Sequence, residues 1–204
     1  MGTVGVWNLN GPFLVKAPTT VFSENFETFS GWTTLTSGTV TQSSAKPYEG
    51  SFSGLKGTAG DPSGAYKLLT STVSRSYILD AWIYSVEPRA GGGNDSIAIV
   101  DSSGNGYSFS IGSTTGRIER RTAYVRTAIS PYSFPRTGNV WYRVTFQALS
   151  DYTFSLVIRN ASGIELVSLT STVDVTHSGP FDRVAILGGF QYYVDNLVVK
   201  RGNT

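Results

Sequence analysis

Between Val140 and Arg159 the chain reads VWYRVTFQALSDYTFSLVIR, two runs in which apolar and polar positions alternate on either side of Ser150-Asp151. Val144 and Phe146 fall on one face of the first run, and Trp141, Arg143, Thr145 and Gln147 on the other. In the second run Phe154, Leu156 and Ile158 alternate with Thr153, Ser155, Val157 and Arg159. Side chains two apart share one face of a strand, so the pattern predicts an antiparallel hairpin with one buried face. A slip of one residue would turn every buried side chain outward, which specifies the register. The same alternation recurs over Ser76–Val86, with Tyr77, Leu79, Ala81 and Ile83 on one face and Ile78, Asp80, Trp82 and Tyr84 on the other.

Shorter strand-like runs follow the same rule. Ser96–Val100 and Tyr107–Ile111 form an expected hairpin over Asp101–Gly106, whose Asp, Asn and Gly residues tolerate the backbone angles of tight turns. Tyr66–Thr72, Gly163–Thr172, Arg183–Leu187 and a closing Tyr192–Lys200 complete the set. Arg117–Arg136, with two prolines, is expected to be partly extended and partly loop. No helix-length stripe of period 3.6 interrupts these runs. The pattern therefore predicts an all-β antiparallel β-sandwich in residues 21–204, preceded by an N-terminal arm over residues 1–20. Trp7 and Phe13 of that arm, broken up by Asn10-Gly11-Pro12 and Pro18, are expected at a sheet edge or on a neighbouring subunit.

Composition narrows the function more than it names it. Hydrophobic residues at 40% suit a globular core, and a net charge of +2 is too small for a dedicated nucleic-acid protein. There is no cysteine, which excludes disulfides, thiolate metal sites and a cysteine nucleophile. No apolar run approaches the ~20 residues of a membrane-spanning helix. Met1-Gly2-Thr3 lacks the basic start and apolar core of a signal peptide, so the expectation is a protein outside that secretory route or one without its leader. Gly-x-Ser-x-Gly is absent, and His177, the one histidine, sits before Ser178-Gly179-Pro180 as an expected turn residue.

The ends of the predicted domain carry a resemblance. Phe22-Ser23-Glu24-Asn25-Phe26-Glu27 with Gly31-Trp32, Tyr48-Glu49-Gly50-Ser51, and the closing Tyr193-Val194-Asp195-Asn196-Leu197-Val198-Val199 resemble the concanavalin A-like lectin/glucanase superfamily, in its laminin-G-like branch. Leu79-Asp80-Ala81-Trp82-Ile83 and Trp141-Tyr142-Arg143-Val144 occur where that family has similar runs. The resemblance implies a jelly roll, and it admits glycan-binding modules, adhesive modules, hydrolases and lyases. The Glu-x-Asp-x-(x)-Glu signature of its glucanases is missing here, and hydrolysis by paired carboxylates needs two acids across a cleft. A non-catalytic member is the expectation.

Three groups of residues are candidate sites. In the jelly rolls this sequence resembles, acids of the first and last strands share a structural calcium, which assigns that ion to Glu27 and Asp195. Asp80, Trp82 and Tyr84 with Trp141, Arg143 and Gln147 form a candidate glycan face, if their two strands share a sheet. Arg117, Arg120, Arg121 and Arg126, interleaved with Tyr124, Tyr132 and Phe134, suit a protein interface or an acidic glycan. Together these expectations describe an oligomeric, lectin-like surface component of a larger assembly. A virion decoration, spike or fibre that touches cell-surface or acidic glycans is the first setting. The alternative is a carbohydrate-binding module cut from a secreted polysaccharide-active enzyme.

Overall fold

The computed structural model describes residues 17–35, 38–57, 63–86, 94–134 and 136–202. Among them run fifteen strands and no helix. They are β1 (Thr19–Glu24), β2 (Thr33–Leu35), β3 (Val40–Ser43), β4 (Ser53–Lys56), β5 (Gly64–Val73), β6 (Tyr77–Ser85), β7 (Asp95–Val100) and β8 (Gly106–Ile111). Then come β9 (Thr115–Thr122), β10 (Val125–Ser133), β11 (Trp141–Ala148), β12 (Phe154–Asn160), β13 (Glu165–Thr170), β14 (Phe181–Gly188) and β15 (Tyr192–Arg201). Every pairing is antiparallel, and the consecutive pairs among them are joined by the short turns that this arrangement allows. The first sheet has the order β13-β12-β11-β6-β15-β4-β3, with β1 also on β15; the second has β10-β9-β8-β7-β14-β5-β2.

The alternation decides which side chains meet between the layers. Leu79 and Ile83 of β6, Val144 and Phe146 of β11, and Phe154, Leu156 and Ile158 of β12 are fully buried from the first sheet. Ile97, Ile99, Phe109, Ile111, Ile118, Val184 and Ile186 answer them from the second. Phe146 stacks on Phe154 and approaches Phe109 at 5.9 Å, so aromatic rings bridge the two layers. The predicted antiparallel sandwich is thus the observed one, and the hairpin around Ser150-Asp151 pairs Val144 with Ile158 and Phe146 with Leu156.

The stretch expected to be half loop is a full hairpin: β9 and β10 pair from Thr115–Ser133 through Thr122–Val125. Pro131 is tolerated because β10 is the edge of its sheet, where a missing N–H breaks no ladder. Burial withdraws two residues, Phe134 and Arg121, from the expected interface. Phe134 is buried in the core, and Arg121 is buried against Glu119 on the outer side of β9. Arg120 turns to Asp174, Arg126 lies 3.8 Å from Glu119, and the Tyr132 hydroxyl donates to the Ser110 carbonyl. Arg117 and Tyr124 are half-buried. Trp7 and Phe13 lie outside the described residues, and β1 begins at Thr19.

Candidate functional site

β6 lies between β11 and β15, so outward side chains of the three strands form a lattice. Arg143 and Asp195 flank Trp82, Thr145 and Val198 flank Asp80, and Gln147 and Lys200 flank Ile78. The strands bearing the candidate glycan residues therefore do share a sheet and a face. Asp80 and Arg143 form a two-pronged ion pair, Nε to Oδ1 at 3.1 Å and Nη2 to Oδ2 at 2.5 Å. That hydrogen bonding and charge raise the Arg143 pKa above its ordinary value. Two adjoining depressions of about 260 and 250 Å³ share Asp80, Val198 and Lys200 and make one groove. Ala17, Pro18 and Ile78 line one end, and Trp82, Arg143 and Asn196 the other.

The expected aromatic platform is arranged differently. Tyr48 stacks on Trp82 with centroids 3.7 Å apart and meets Trp141 edge-on at 5.6 Å. Tyr84 is buried, packed by Trp141 and Tyr193, with the Lys46 ammonium 5.3 Å above its ring. This face therefore presents Tyr48, Trp141 and the groove, while the face of Trp82 is already occupied.

Tyr48 reaches its place because acids of the first and last segments hold its loop. Asp195 accepts the amides of Tyr48 and Glu49 through Oδ2 and that of Asn196 through Oδ1. Glu27 Oε1 accepts the amides of Ser51 and Phe52 at 2.8 and 2.9 Å. Gly50, at φ +66°, allows this approach, since a Cβ there would run into the Glu27 carboxylate. Burial pushes the Asp195 carboxyl up, outweighing the amide hydrogen bonds, and Glu27 adds to the rise. The two acids assigned to calcium are thus brought to one loop, as acceptors of main-chain amides. Among the described residues no three His, Cys, Asp or Glu side chains gather as a ready cage. Asn25, Glu27, Glu49 and Asn196 do line a pocket of about 170 Å³, a set of hard oxygen donors that suits calcium.

Sequence reasoning missed Tyr48, Val198 and Lys200. For the last two the cause is a bulge. Tyr192 and Val194 point into the core, and strict alternation would send residues 196, 198 and 200 after them. Instead the register shifts between Asp195 and Val198, Asn196 takes φ +46°, and Leu197 and Val199 become the core residues. Asn tolerates that left-handed angle better than most residues, which is the one local signal available. Nothing in the sequence near Tyr48 marks Trp82 as its partner.

The molecule is, by fold, a lectin-like jelly roll. The profile of the SO2946-like, C-terminal domain family matches residues 89–191, and the chain belongs to that family. It is 35% identical over 192 residues to an uncharacterized protein, MJ1394, of Methanocaldococcus jannaschii, covering 89% of this chain and about a fifth (19%) of that relative's length. Among solved structures, carbohydrate binding module CBM66 from Bacillus subtilis superposes with TM-score 0.59 at 16% identity, over 85% of this chain and 97% of that one. The protein of unknown function SO2946 from Shewanella oneidensis MR-1 gives 0.57 at 16% identity, over 98% and 97%. These likenesses uphold the lectin-like half of the resemblance and do not single out the concanavalin A-like superfamily.

Proposed function

We propose that this domain is a non-catalytic carbohydrate-binding module that uses the outer face of the first sheet. The groove across β11, β6 and β15 carries the reading: it sets Arg143, Asp80, Asn196 and Lys200 beside an apolar floor and the Tyr48–Trp82–Trp141 cluster. Apolar walls against sugar C–H groups, with a few fixed polar groups for hydroxyls, are what such ligands require. Asp80 is the single acid among the described residues lining the groove, and it is tied to Arg143, so no carboxylate pair is set for hydrolysis. The shared fold with a module named for carbohydrate binding supports the reading. The long archaeal relative supports a module within a larger chain.

A calcium ion at Glu27, Glu49, Asn25 and Asn196 belongs to the same proposal. Among the described residues none of Glu27, Glu49 and Asp195 makes an ion pair, so a cation there would offset gathered negative charge. A glycan array followed by calorimetric titration, with calcium and with chelator, tests both parts. The expected outcome is saturable binding to at least one saccharide without turnover, and a melting temperature raised by calcium. Absence of any saccharide binding, or release of reducing ends, overturns the module. Identical melting with calcium and chelator retires the ion.

A surface component of a virion, held on neighbouring subunits by its arm, is the second reading. Its support is that β1 enters on β15 beside Ala17 and Pro18, at the rim of the groove.

A further inference from the structure

Charge along the groove is unbalanced. Asp80 is matched by Arg143, while Lys200 is exposed and pairs with no acid among the described residues. We infer that the ligand of this face is an anionic saccharide, one whose ring carries a carboxylate, and that the carboxylate lies between Lys200 and Arg143. This inference rests on the carbohydrate-binding reading and gives it a ligand class.

Three features carry it. First, Arg143 is held in advance. Asp80 takes Nε and Nη2, leaving Nη1 directed away from the pair, and the side chain remains 49% exposed. A guanidinium fixed in this way loses little freedom when it meets a second carboxylate. Second, Lys200 and Arg143 stand on the two strands flanking β6, at the diagonal corners around Asp80. Their backbones are about 16 Å apart, two strand spacings across and four residues along, and both side chains line one depression, so two long side chains extended toward each other over β6 can reach one anion. Third, Val198 and Ile78 give the ring of such a sugar an apolar floor beneath those cations.

The surroundings fix a direction. Beyond Asn196, Glu27 and Glu49 are the charges that the proposed calcium would neutralise, which leaves Lys200 as the unmatched charge of the groove. The carboxylate therefore sits toward Lys200. A neutral sugar in the same groove would draw water from Lys200 and from Nη1 of Arg143 without replacing those hydrogen bonds, which is unfavourable.

The test uses the full chain with oligogalacturonate, sialyllactose, the methyl ester of each, and a neutral maltooligosaccharide, followed by calorimetry. Binding of one acidic sugar is expected, with its ester bound about tenfold more weakly, the size of one lost charged hydrogen bond. Lys200→Gln, at an exposed position, is expected to weaken the acidic ligand by a similar factor and the ester by less, so that the gap between acid and ester narrows. Raising the salt should weaken the acid form alone. Equal binding of acid and ester, or an unchanged affinity in Lys200→Gln, overturns the anionic inference while the carbohydrate reading stands. Failure of every saccharide on a broad array overturns the reading beneath it as well.

Discussion

Arg121 shows how a single residue can carry opposite meanings in sequence and in space. Set among Arg117, Glu119 and Arg120, it reads as part of an exposed basic segment. In the sandwich it is buried, donating to Ser108, Ser96, Glu119 and the Tyr124 carbonyl, while Glu119 also accepts from Ser110. Such a pair stabilises little relative to apolar replacements, but removing one partner leaves an uncompensated charge. Arg121→Ala is therefore expected to cost about 3–5 kcal/mol in urea denaturation, whereas exchanging both residues for apolar ones of similar volume should be near neutral. A spacing of two puts Glu119 and Arg121 on one face once the segment is the strand β9. It could not say that this face is closed to solvent, because burial is a property of what packs over a strand.

At the scale of elements, two irregular segments are held by carboxylates with opposite pH behaviour. Residues 44–52 hang from Asp195, whose pKa burial raises above its ordinary value of 3.8. The folded state takes up that proton before the unfolded chain does. The stability owed to Asp195 therefore grows as pH falls through its folded pKa to 3.8, and is lost on the way back up. The strap between β13 and β14 hangs from Asp174, which accepts from Tyr107, Thr176 and Arg120. Burial pushes this carboxyl up, but the hydrogen bonds from Thr176 and Tyr107, and the Arg120 charge, outweigh it and hold it below 3.8. Its contribution is present above 3.8 and is lost as pH falls through the folded pKa. Melting temperature followed against pH should show this: Asp174→Asn removes part of the acid-induced loss, and Asp195→Asn removes part of the gain on mild acidification. The reverse pattern would contradict both assignments. The acids themselves were visible in the sequence. Their amide partners, some 147 residues distant for Tyr48 and Asp195, were not.

For the whole molecule, the question is whether the sandwich acts alone. The described residues close a complete core, with rings from both sheets interlocked around Phe146. A chain without residues 1–16 is accordingly expected to fold, to sediment as the full chain does and to keep its saccharide affinity. Loss of an oligomer on that deletion, measured by sedimentation velocity, would move the balance to the surface-component reading.

The sequence by itself determined the class of fold, the register of the central hairpin and the two faces of β6 and β11, because a period of two is written locally and each buried face must be covered. It also placed Asp80, Trp82, Trp141 and Arg143 on one side of their strands. Only the tertiary structure decided that β15 completes the site with Val198 and Lys200, since a bulge at Asp195–Asn196 reverses its alternation. It likewise decided that Tyr48 covers Trp82, a contact set by a loop anchored far along the chain. Local periodicity reports which way a side chain points; which neighbour it meets depends on distant segments closing over it.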